Sequence, residues 1–240
     1  MKRATLIICL LLICTILLTV FASCKKNDLE YEDFKYRIHY EENNNYVRIV
    51  DLTEQGKQKE VLIIPTTIEG IPVKFIEKPH WSLFGETSTI WQSTKLKKVF
   101  IPSNINIAEC TFDGCSQLKQ IFIILGNDDK AVFNTVTFTR MRVDADVLVP
   151  KDYYNLNSRF TIIKPANINY YFNYKNSDND GVYWIDNVEQ GERILDIPPT
   201  EPTRKGWTFG GWYTEPECIN KWEFTNTVPE NGVDLYAKWL

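Results

Sequence analysis

The pattern of apolar and polar positions divides the chain into three parts. Residues 4–21 form an uncharged run rich in Leu and Ile, preceded by Met1-Lys2-Arg3. A positive start followed by an apolar stretch is the layout of a secretory signal. Beyond residue 24 no long segment keeps the 3.6-residue period of an amphipathic helix. Short alternating stretches of β-branched and aromatic residues take its place, so the mature chain is expected to be mostly β. Three of these stretches end in proline, at Val61–Pro65, Lys98–Pro102 and Val147–Pro150. Proline has no N–H for a ladder and should turn the chain away from the sheet. From Ala166 the pattern changes again. Residues 169–174 (Asn-Tyr-Tyr-Phe-Asn-Tyr) read as a strand, 176–181 as a turn and 182–185 as a return strand; a proline-stiffened crossing over 198–203 leads to a Trp- and Gly-rich end.

The middle part repeats itself. Leu96-Lys97-Lys98-Val99-Phe100-Ile101 recurs 22 residues later as Leu118-Lys119-Gln120-Ile121-Phe122-Ile123. A period in the twenties with Leu-x-x-Ile-x-Ile marks a leucine-rich solenoid, with one short strand per turn whose apolar residues stack on the next turn. Together with Thr111-Phe112-Asp113-Gly114-Cys115 and Ile68-Glu69-Gly70-Ile71-Pro72-Val73, the pattern resembles the BspA-type leucine-rich repeats of bacterial surface proteins. The resemblance implies that Phe112 and Cys115 fill the core opposite the strand. It also implies an opening cap near residues 31–52 and a closing unit over 147–159. The spacing from Phe84 to Leu96 is six residues longer than that from Phe112 to Leu118, which places an insertion over 77–94. A solenoid of this kind presents an extended sheet to a partner.

The tail carries a second resemblance. Arg204-Lys205-Gly206-Trp207-Thr208-Phe209-Gly210-Gly211-Trp212-Tyr213, then Trp222-Glu223-Phe224, then Leu235-Tyr236-Ala237-Lys238-Trp239 closely resemble the Listeria–Bacteroides repeat, or internalin B-repeat. Trp207 stands where the family usually has Tyr. The resemblance implies a small β-grasp-like domain of secreted or surface-bound proteins, without known catalysis. The expected division is a signal peptide over 1–23, a lipidated Cys24 with tether over 24–30, a leucine-rich-repeat domain over 31–165 and a B-repeat domain over 166–240.

The junction after the signal refines the destination. Phe21-Ala22-Ser23-Cys24 puts two small residues before a cysteine, which resembles the bacterial lipobox with Phe21 in place of the common Leu. The resemblance implies diacylglycerol on Cys24 and cleavage before it; acyl chains contribute about 0.8 kcal/mol per buried methylene. A run of roughly 18 apolar residues can also span a bilayer. As a cleaved signal or as an uncleaved anchor with an incidental Cys24, the run places the remaining chain outside the cytoplasm; the lipobox reading holds it lipid-anchored at the cell membrane or outer surface.

Charge and composition then exclude more than they select. Without Lys2 and Arg3, the net charge of −4 becomes −6, and no basic stripe marks a nucleic-acid partner. Of six cysteines, Cys9 and Cys14 lie in the signal and Cys24 would carry lipid. Cys110, Cys115 and Cys218 remain, an odd set without metal-site company; a Cys110–Cys115 bridge and buried thiols both stay open. The two histidines, His39 and His80, have no zinc-ligand spacing, and no nucleophile or phosphate motif occurs. Asn176–Gly181 begins like a calcium loop, but Asn187 stands where the bidentate Glu belongs, so a polar turn is expected. No metal, cofactor or enzymatic activity is expected. Trp184, Trp207, Trp212, Trp222 and Trp239 are expected in the core of a small domain. Trp81, Trp91 and neighbouring His80 lie in the insertion, where loops carry recognition, and are the candidate ligand contacts. The functional expectation is a non-catalytic binding or adhesion lipoprotein recognising an extracellular or host protein, or another macromolecule such as a glycan. The alternatives are a structural spacer or envelope assembly subunit, and a carbohydrate-binding accessory protein.

Overall fold

The computed structural model describes residues 28–42, 44–76, 91–107, 111–112, 114–124, 145–151, 163–177, 181–195, 198 and 200–240. Its regular structure is almost wholly β. The one short 3₁₀ turn, Gly56–Gln58, stands among fifteen strands in three sheets of the described residues.

The first sheet is mixed and runs β1-β2-β3-β6-β5, with β8 also on β6. Its strands are β1 (Leu29–Tyr31), β2 (Phe34–His39), β3 (Tyr46–Leu52), β5 (Thr67–Ile68), β6 (Ile71–Ile76) and β8 (Asn106–Ile107). The β5–β6 hairpin turns through Glu69 and Gly70, at φ +52° and +76°. A two-residue hairpin loop with both φ angles positive matches the twist of the flanking strands.

The second sheet is entirely parallel, in the order β11-β10-β9-β7-β4. It comprises β4 (Val61–Ile63), β7 (Lys98–Pro102), β9 (Gln120–Ile124), β10 (Asp146–Val149) and β11 (Ile163–Pro165). The 22-residue repeat is the register of this sheet: Val99 lies beside Ile121 and Phe100 beside Phe122. Pro102 is the last residue of its strand, still in register with Ile124, rather than the first residue beyond it. Its ring removes a donor without removing an acceptor, and its carbonyl takes the Ile105 N–H at 3.1 Å as the chain turns.

Parallel strands are usually covered on both faces, and these are. Towards the first sheet, Leu62, Val99, Ile101, Ile121, Ile123, Val147, Val149 and Ile163 join Phe34, Tyr36, Val47, Ile49 and Leu52 in one core. Phe112 and Cys115 are buried in that core, as the repeat resemblance implies. Burying a Val, Leu, Ile or Phe side chain stabilises by roughly 1.5–3 kcal/mol, so this shared core holds the two sheets as layers of one unit. On its other face, the parallel sheet buries Phe100, Phe122 and Leu148 in a second core.

That second core belongs mainly to the tail. The third sheet runs β13-β12-β15-β14, from β12 (Ile168–Tyr171), β13 (Val182–Asp186), β14 (Phe209–Tyr213) and β15 (Val233–Trp239). The central pair β12–β15 is parallel and both edges are antiparallel. β12 is shorter than the expected 169–174 strand. Phe172 still donates to the Gly181 carbonyl at 2.8 Å, but Asn173 sits at φ +55°. Asn enters this left-handed region more easily than most residues, and a strand cannot continue through it. At the entry to β15, Gly232 has φ +74°, and a Cβ there would lie 2.0 Å from the Asn167 carbonyl oxygen. No other residue fits that approach without moving the backbone.

Candidate functional site

Of the residues singled out in the sequence, Cys24, His80 and Trp81 lie outside the described residues, as does Cys110. Trp91 is corrected. Its side chain is 0% exposed and packs edge-on against Phe112, ring centroids 5.2 Å apart, with Phe34 on another side. A fully buried indole is a packing residue and cannot reach a macromolecular ligand. The Cys115 thiol donates weakly to the Trp91 carbonyl at 3.6 Å, and burial pushes it up to about 11. It therefore stays protonated near neutral pH and is no nucleophile.

The expectation that the repeat sheet is open to a partner is also corrected. The tail covers it. Phe100 stacks on Phe122 at 4.4 Å and on Trp184 at 4.5 Å. Lys98 pairs with Asp186 at 3.3 Å, with the carboxylate 0% exposed. Gln120 donates to the Asn187 carbonyl at 3.3 Å, and the Lys151 backbone N–H donates to Asn169 Oδ1 at 3.1 Å. The physical reason is in the repeat: outward positions of β7, β9 and β10 carry Phe, Phe and Leu, too apolar to face water as a contiguous patch. Burial of Tyr170, with the Asp186 charge second, pushes its phenol well above the ordinary range, so it too stays neutral.

Surfaces open to a ligand lie elsewhere. One is on the first sheet, where half-buried His39 and Phe75 flank the buried Tyr46 ring, His39 stacked on it at 5.2 Å and Phe75 tilted against it at 5.3 Å. The Arg48 guanidinium lies 5.1 Å from the Phe75 ring, and the Lys74 ammonium 5.6 Å from the Tyr46 ring. The other is on the tail. Tyr171, Asn173, Tyr174, Lys175, Ser177 and Tyr236, with Gly181, line an open cleft of about 350 Å³. Tyr171 and Tyr236 are register partners on the parallel strands β12 and β15, and their rings stack at 5.1 Å and 16°. Tyr174 is held from behind by Trp239 at 5.8 Å, Phe172 at 5.9 Å and the Arg204 guanidinium at 4.5 Å.

The other face of that guanidinium meets Trp207 at 4.3 Å. Trp207 was grouped with the core tryptophans in the sequence, but it is 50% exposed. Trp184, Trp212 and Trp222 are buried, and Trp239 donates from Nε1 to the Phe172 carbonyl at 2.6 Å. The tail cleft was missed in the sequence. Its signal was the run Tyr170-Tyr171-Phe172-Asn173-Tyr174, longer than one strand face can bury.

Asn176 and Gly181 have the positive φ angles of a turn, +58° and +92°. No group of three or more His, Cys, Asp or Glu side chains that could hold a metal occurs among the described residues. Among the same residues no helix is long and apolar enough to cross a membrane.

Comparison with known proteins adds identity to the tail. Residues 170–238 match the Listeria-Bacteroides repeat domain family. Internalin H of Listeria monocytogenes serovar 1/2a (strain ATCC BAA-679 / EGD-e) is 40% identical over 53 residues, which is 22% of this chain and 10% of that protein. The likeness therefore spans about a tenth of the length of that relative. No solved structure matches this chain.

Proposed function

We propose that this chain is a lipid-anchored, extracytoplasmic recognition protein that binds a macromolecule at the cell surface without chemistry. The observation that carries the reading is the tail. Residues 170–238 match the Listeria-Bacteroides repeat family, 53 residues of the chain are similar to a protein named an internalin, and the tail folds as a sheet with exposed aromatic and cationic side chains. Its strand order, parallel centre and antiparallel edges support the β-grasp-like reading. The five-stranded parallel sheet, with the 22-residue repeat as its register, supports a short leucine-rich solenoid over 31–165.

The anchor fits the geometry of the folded part. Asp28 is tied to Arg37 of β2 at 2.5 Å, immediately before β1 begins. Four residues back lies Cys24, so an acyl group there would sit at most about 14 Å away along an extended chain. The fold would then stand close to the membrane.

The test is adherence. A strain lacking this chain should attach less well to layers of extracellular matrix or partner cells. Restoring the natural chain should recover attachment, and restoring Cys24→Ser should not. Equal adherence of all three strains would refute the reading.

A further inference from the structure

We propose that the tail cleft between Tyr171, Tyr174 and Tyr236 is a saccharide-binding subsite that takes a pyranose ring of an oligosaccharide. The proposal rests on the surface-recognition reading above and names the ligand class and the site.

Three features of the cleft converge on this chemistry. Its walls pair aromatic rings with hydroxyl and ammonium donors: the rings of Tyr171, Tyr174 and Tyr236 stand beside the Tyr174 phenol, the Ser177 hydroxyl and the exposed Lys175 ammonium. A sugar ring offers the complement, apolar C–H faces and a rim of hydroxyls that both donate and accept. A purely apolar ligand would leave those donors without use, and a fully charged one would leave the rings without use. The size agrees, since about 350 Å³ lies at the small end of ligand sites and suits one or two sugar rings rather than a folded partner.

The third feature is preorganisation. Surface tyrosines usually lose rotamer freedom when a ligand arrives, and that loss weakens binding. Here the rings are already fixed. Tyr171 and Tyr236 hold each other in a stack across β12 and β15. Tyr174 is clamped by Phe172, Trp239 and Arg204, and Arg204 is braced in turn by Trp207. Asn173 fixes the corner between them: its amide donates to the Pro216 carbonyl at 2.9 Å and the Ala237 carbonyl at 3.1 Å. Gly181, at φ +92°, lines the cleft without a side chain, in a backbone conformation that other residues rarely adopt.

The experiment uses the full chain in detergent against an array of immobilised neutral and N-acetylated oligosaccharides, followed by titration with the best-retained one. The chain should bind saturably. Tyr236→Ala should weaken binding about tenfold, the value of one aromatic contact. Lys175→Ala, at an exposed position, should weaken it severalfold. Tyr40→Ala, just beyond the end of β2 and 74% exposed, should leave it unchanged. Retention of no oligosaccharide by the natural chain would overturn the subsite, as would unchanged binding in both Tyr236→Ala and Lys175→Ala. If that happens while adherence still depends on the chain, the recognition reading stands with a protein ligand. If adherence fails as well, the recognition reading falls with it.

Discussion

At the scale of single residues, burial separates packing from recognition. Trp91 and Trp207 are both tryptophans in segments rich in turn residues, and nothing in the local sequence ranks them. Trp91 has Phe34 and Phe112 around it and no exposed surface. Trp207 lies on the surface against Arg204. Trp91→Ala should therefore lower stability by about 3–5 kcal/mol, as for other large-to-small changes in a core. Urea denaturation followed by far-UV circular dichroism measures this, and a change under 1 kcal/mol (roughly what an exposed site shows) would return Trp91 to the surface. Lys98 and Asp186 make the same distinction for charge. A carboxylate with no exposure is held by a lysine 88 residues earlier in the chain, a pairing no local pattern announces.

At the scale of elements, the sequence reads strands well and their partners poorly. The Leu-x-x-Ile-x-Ile repeat locates β7 and β9 and fixes their register, because stacking identical side chains at a constant offset is what makes a parallel ladder. The Tyr-rich strand at the start of the tail is also legible, and its end is set by the backbone of Asn173 rather than by hydrophobicity. What stays hidden is the outward face of the repeat sheet. Phe100 and Phe122 recur with the repeat, and recurrence alone does not say whether a neighbour, a ligand or the chain's own tail covers them. The structure shows the tail does, through Trp184. The two parts should consequently unfold together. Replacing both Phe100 and Phe122 with Ala should uncouple them, splitting one cooperative transition into two when tryptophan fluorescence and backbone ellipticity are compared. A single coincident transition in the double variant would mean that the shared core does not couple them.

At the scale of the whole molecule, three sheets form a continuous stack whose middle layer is covered on both sides. The surfaces left open are thereby the outer face of the tail and the face of the first sheet that carries Arg48 and Lys74. The cleft at Tyr171 and Tyr236 was not legible in the sequence, because it depends on two strands 65 residues apart being register partners. The proposed anchor, by contrast, rests wholly on sequence, on the order of charge, apolar run, small residues and Cys24. Everything functional in this account requires that the folded part stand outside the cell, held at its surface. The measurement that tests this most directly is protease shaving of intact cells, followed by detection of the chain in the membrane and soluble fractions. The chain should fractionate with membranes, disappear from them on shaving, and leave the membrane fraction in a Cys24→Ser strain. A chain that stays soluble and protected from protease in intact cells would contradict the account.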